Sequence, residues 1–194
     1  MSARKIRDSI RAPLPSPPPG FVWRLCGEAS ILKPAHWHER EQVSTIHALP
    51  VITYTTSPEH WCEEKPFELG LTLHVLSGSR KIAEANARQM VFAYLRPLFD
   101  ADQKKKGVLL FKRSTNGAFE STVFQFRDNP PGRASRMVLK CIAANTTTDR
   151  VHAFTFESPI ATWDENWARY GNPMLSKTGV DSALIKSPTH DTRH

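Results

Sequence analysis

The stretch Lys33–Arg40 reads KPAHWHER and sets His36 and His38 two residues apart, with Glu39 beside them and His47 and His60 further along. Imidazole is a good zinc or copper ligand. On an extended backbone residues i and i+2 point to one face, so His36 and His38 are the candidate metal pair. Glu39 would then point away, and a third ligand would have to come from His47 or His60. Nothing in the spacing fixes that geometry. A tryptophan between two solvent-facing loop histidines is the competing reading, and under it no metal or cofactor is expected.

Nucleophile chemistry finds little support. Ser57, His60 and Cys62 are sequence neighbours, but a catalytic pair is defined in space and cannot be argued from proximity along the chain. There is no GxSxG, no HExxH, and no glycine-rich phosphate loop among the nine glycines. Glu63–Glu64 fits a charged loop. Asp164–Glu165 fits the first turn of a helix, where the macrodipole favours acids. The chain therefore reads as a non-enzymatic protein. Tryptophan is the unusual signal. Of the five, Trp163 and Trp167 are four apart and share a helical face that Tyr170 continues. That face packs the core or forms an aromatic hot spot for a partner. Trp37 and Trp163 are the aromatic partner-binding candidates, and Trp167 is expected to be the more buried of the helix pair.

The 194 residues fit one domain with tails, and 40% hydrophobic content allows a core. No stretch approaches the ~18 apolar residues of a membrane span. Arg4, Lys5, Arg7 and Arg11 form a short basic pattern ahead of Pro13, Pro15 and Pro17–Pro19. The segment 1–20 reads as a disordered basic, proline-rich arm, a candidate contact for acidic partners. With no apolar leader, the expected compartment is the cytoplasm, and organellar import through the basic arm is the alternative. Three separated cysteines, Cys26, Cys62 and Cys141, argue against a disulfide framework. Of the net charge of +7, the first 20 residues carry +3 and the remaining 174 a mild +4. Lys104–Lys106 form the only cationic run, without interleaved aromatics, which argues against nucleic acid.

The elements follow from period and punctuation. FVWRLC and SILKP read as strands joined by the turn GEA. HWHEREQVSTIHA is polar and aperiodic and reads as a loop. PVITYTTSP and LGLTLHVLSG read as strands, the second with alternating Leu71, Leu73 and Val75. A helix is expected from Ser79 to Arg96, stopped by Pro97. Two hairpins follow, reversing at Asn116–Gly117 and at NTTTD. A last helix runs from Thr162 as N-cap, with Glu165 closing a capping box, to a stop at Gly171. Residues 179–194 read as a flexible tail. Strands, helix, antiparallel strands, helix is the order of an α+β domain: an antiparallel sheet flanked by helices.

The spaced residues P-x-x-W (Pro34–Trp37), YTTSP (Tyr54–Pro58), FELGLTLHV (Phe67–Val75) and FESP…WDENW…YG (Phe156–Gly171) resemble the PsbP-like fold. That family includes the extrinsic PsbP of photosystem II, the Ran-binding Mog-type release factor and small bacterial proteins. The resemblance spans residues 21–178. It implies an αβα sandwich without catalytic residues that binds other proteins, with Trp37 closing a sheet edge and the histidines incidental. The chain departs from the pattern in lacking a thylakoid-type apolar targeting segment and a distinct acidic patch. The function expected is a protein–protein interaction domain: an adaptor, assembly factor or complex subunit. The alternatives are a small-ligand or metal carrier with an aromatic and histidine pocket, or an extrinsic photosystem II-type subunit.

Overall fold

The computed structural model describes residues 14–46, 49–62, 65–78, 89, 91 and 108–180. Outside these lie Arg4, Lys5, Arg7 and Arg11, His47, Glu63–Glu64, Lys104–Lys106, residues 181–194 and the helix expected from Ser79. Of that helix only Gln89 and Val91 are described, and both are helical.

Among the described residues, ten strands build two antiparallel sheets. β1 (Phe21–Cys26) and β2 (Ala29–Pro34) form the expected hairpin. Gly27 and Glu28 turn it with positive φ, a conformation glycine adopts freely. A Cβ on Gly27 would also sit 2.8 Å from Val75, so this turn lies directly on the larger sheet. Gly179–Val180 add to β2 as β10, which puts the first two residues of the expected tail into a three-stranded sheet. At the other end of the chain, the Trp23 indole donates to the Pro15 carbonyl at 2.7 Å and holds that part of the proline segment against β1.

The larger sheet has seven strands in the order β3-β4-β5-β9-β8-β7-β6. They are β3 (His38–Ile46), β4 (Leu49–Ser57), β5 (Gly70–Ser77), β6 (Val108–Asn116), β7 (Phe119–Asp128), β8 (Arg136–Asn145) and β9 (Arg150–Pro159). The turns sit where the sequence puts them. Gly117 has φ +57°, and the Asn145 side chain accepts from Thr147 and Thr148 to shape the β8–β9 reversal. β3 corrects the expected loop. It is an edge strand with both faces largely exposed, so burial imposes no period-2 pattern on its sequence.

Core side chains lie on both faces of this sheet. On one, Leu71, Leu73, Val75, Met137, Leu139, Phe154 and Phe156 pack under Ile31 and Ala29 of the small sheet and under Trp163 and Met174. On the other, Val51, Leu76, Phe124, Phe126, Val138, Ile142 and Val151 gather with the helical Val91. β9 is central and is buried on both sides along much of its length. The expectation of helices flanking the sheet is corrected among the described residues. The small sheet does much of the covering, and the helix there is short.

That helix also differs from expectation. A 3-10 turn at Ile160–Thr162 leads into α1 (Trp163–Asn166), a π turn at Trp167–Gly171 and α2 (Asn172–Ser176). Thr162 makes no capping bond, so the capping box is absent; its hydroxyl accepts from Asn166 instead. Gly171 does not stop the helix. It is buried, and a Cβ there would strike Trp167 and lie 2.8 Å from Phe156. Pro173 lacks an N–H and crowds the preceding turn, which favours the wider i→i+5 bond from Asn172 to the Trp167 carbonyl. Among the described residues no helix is long and apolar enough to cross a membrane.

Candidate functional site

The KPAHWHER stretch ends β2, turns at Ala35–His36 and enters β3. Because the backbone turns here, the expectation that His36 and His38 share one extended face fails. His36 is exposed on the turn, and the His38 ring stacks on His60, with centroids 3.5 Å apart and planes at 30°. Two imidazoles bound ~2.0 Å from one tetrahedral ion hold their ring centroids about 5 Å apart. The stacked pair is too close to share an ion as it stands. Among the described residues no three His, Cys, Asp or Glu side chains gather around a common point. Ser57 is buried and accepts from the Glu59 backbone N–H at 3.0 Å, while Cys62 is exposed.

Beside these residues a charged cluster joins the two sheets, with Arg24 and Glu39 at the surface and Lys33 buried. Glu39 accepts two bonds from Arg24 Nε, at 2.8 and 2.9 Å, and one from the Tyr54 hydroxyl at 2.8 Å. Lys33, only 3% exposed, donates to the Trp37 carbonyl and lies 3.9 Å from Glu39. Burial lowers the Lys33 ammonium, and Glu39 offsets this only in part. Burial alone would raise the Glu39 carboxyl. The bonds from Arg24 and Tyr54 and the Lys33 charge outweigh it and hold the group below its ordinary value. Burial, and then Glu39, push the Tyr54 phenol up, so it remains a donor. Lys33 is the one desolvated charge of the three, and the Trp37 carbonyl and Glu39 partner it, while the Arg24–Glu39 pair ties β1 to β3 at the surface.

The aromatic candidates pack inward. Trp37 is 3% exposed and packs on Tyr170, with centroids 4.9 Å apart. Trp163 is 9% exposed and stacks on Trp167 at 5.6 Å with planes 12° apart, and Phe156 lies 5.8 Å from each. The shared face is as expected, but the burial order is reversed: Trp163 is the deeper ring and Trp167 only half-buried. The Trp167 N–H donates back to the Trp163 carbonyl, so the pair keeps α-helical spacing, and that spacing does not say which ring lies deeper.

The surface feature that sequence reasoning missed is β6. Leu109, Leu110 and Phe111 are 55%, 43% and 48% exposed on this edge strand. Val108 pairs Phe126 and Leu110 pairs Gln125, so Leu109 sits in a bulge. Phe111 lies opposite Phe124, and Arg113 opposite Thr122, on the face that also carries Val91. Beside them a cleft of about 420 Å³ is lined by Val91, Arg113, Thr115, Glu120 and Thr122. The run GVLLFKRS marked a strand in the sequence, but an unbroken apolar run cannot say which strand ends a sheet.

No family model and no curated protein sequence matches the chain. Among solved structures, the solution structure of cyanobacterial PsbP from Synechocystis sp. PCC 6803 matches with a TM-score of 0.54. Identity is 12%, and the match covers 83% of this chain and 92% of that one. The fold is PsbP-like, as the spaced motifs implied.

Proposed function

We propose that this chain is a protein-binding module, a subunit or assembly factor held at the surface of a larger complex. The observation that carries the reading is the exposed apolar run Leu109–Phe111 on an edge strand. Edge strands are usually protected by charge, proline, bulges or cover; here the bulge at Leu109 and the cations Lys112 and Arg113 still leave Leu109–Phe111 exposed, and exposed apolar patches mark interaction surfaces. The charged cluster between the sheets and the inward aromatics suit a rigid platform. On this reading the chain performs no chemistry of its own. The likeness to cyanobacterial PsbP supports a second, narrower reading, that of an extrinsic photosystem II-type subunit.

The test is the native mass of the chain in extracts of its own cells, carrying a chromosomal tag. The module reading predicts migration well above the chain's 21.9 kDa with a defined stoichiometric partner. Migration at 21.9 kDa under gentle lysis and low salt contradicts it. Co-migration with chlorophyll-bearing complexes selects the narrower reading.

A further inference from the structure

We propose that the β6 edge is the docking strand, and that it takes an extended segment of a partner protein by strand addition, a segment with apolar residues flanking an acidic one. The proposal rests on the reading of the chain as a protein-binding module and names the surface and the chemistry of its partner.

The two edges of the seven-stranded sheet differ in kind. β3 carries Glu39, Arg40 and Glu41 in succession, and among its described side chains Val43 is the one strongly exposed large apolar group. Mixed charge of that sort discourages strand pairing. β6 has the opposite character. Among the described residues its one strand neighbour is β7. Its first half offers three consecutive apolar side chains, and because neighbours in a strand point to opposite faces, both faces of the edge are apolar there. Its second half begins with Lys112 and Arg113, and Val108–Asn116 contains no acid.

A strand laid along β6 gains a hydrogen-bonded ladder from the backbone. Its alternate side chains gain contact with Leu110 on one face and Phe111 on the other. Beside Lys112 and Arg113 the complementary residue is Asp or Glu, since opposite charges across a strand pair attract and like charges repel. This disfavours a second copy of the chain as occupant. Another β6 brings the same two cations and no acid, on a molecule already carrying +7. The cleft beside Arg113 and Thr115 also carries Glu120 of β7, which places the acid of the incoming segment nearer Lys112 than the cleft.

The experiment uses two synthetic ten-residue peptides of alternating valine and threonine that differ in one central position, glutamate in one and lysine in the other. Binding to the full chain is measured by calorimetry, and amide exchange locates the site. The glutamate peptide should bind at least about tenfold tighter than the lysine peptide at low salt, and added salt should narrow the gap. It should slow exchange in β6 and leave β3 unchanged. Replacing both Leu110 and Phe111 by Lys should weaken binding by at least about tenfold, and Val43→Lys should change it less than about twofold. The exchange map of the unaltered chain stands even if the double variant misfolds. No slowing of β6 exchange, equal binding of the two peptides, or concentration-dependent dimerisation through β6 would each overturn the proposal. Failure here leaves the module reading intact if the double variant, folded, still enters the native complex. That broader reading fails only if the unaltered chain enters none.

Discussion

Truncating Trp163 tests the packing that closes the C-terminal segment onto the sheet. A tryptophan side chain buries up to about 250 Å². At about 25 cal/mol per Å² this is worth some 5–6 kcal/mol as an upper bound. Trp163 is 9% exposed and faces Phe156 and Trp167. Trp163→Ala should therefore cost about 3–5 kcal/mol, the usual range for a buried aromatic. Trp167 is half-buried, so Trp167→Ala should cost about 2 kcal/mol. The rings stack on each other, so the double variant should lose less than the sum, with a coupling of about 0.5–1.5 kcal/mol. Urea unfolding followed by far-ultraviolet circular dichroism measures all three without relying on indole emission. A loss below about 1 kcal/mol for Trp163→Ala, or a larger loss at Trp167, would refute the assignment of the deeper ring.

Gly171→Ala should destabilise by about 1–3 kcal/mol, since its Cβ meets Trp167 and Phe156; unchanged urea midpoints would show that the helix gives way there. Glu39 has a folded pKa below its unfolded value, so its contribution is present above that unfolded value and is lost as pH falls through the folded one. Glu39→Gln should therefore flatten the acid-side fall in melting temperature, and an unchanged acid limb counts against the charged cluster. Lys33→Met exchanges a desolvated ammonium for an apolar chain of similar length, and should shift stability by less than about 1.5 kcal/mol in either direction. Zinc should leave the melting temperature of untagged protein unchanged, because binding between His38 and His60 requires the rings to unstack; a stabilisation abolished by His60→Ala would reverse that view.

The sequence was most legible where burial or turn chemistry writes a pattern. Leu71, Leu73 and Val75 announce β5, and Asn116–Gly117 and NTTTD announce their hairpins. It was least legible where those forces are absent or compete. β3 is exposed on both faces, so nothing selects a period, and its polar residues look like a loop. Gly171 resembles a helix stop, yet it is needed because Phe156 and Trp167 close on its backbone, while Pro173 shapes the turn before it. Nothing in the sequence marks Lys33 as buried; only the fold brings Glu39, with Arg24 and Tyr54 bound to it, into its neighbourhood. The exposure of Leu109–Phe111 depends on which strand ends the sheet, and strand order is a property of long-range pairing that local pattern does not encode.

The most direct test of the account is amide hydrogen exchange on the chain alone and within its purified native complex. The account predicts that the amides of Leu109–Thr115 that point away from β7 exchange quickly in the isolated chain and are protected in the complex, while β3 and the Trp163–Trp167 segment are unchanged. Protection that appears on β3 or on the helical segment, with β6 unaffected, would contradict it.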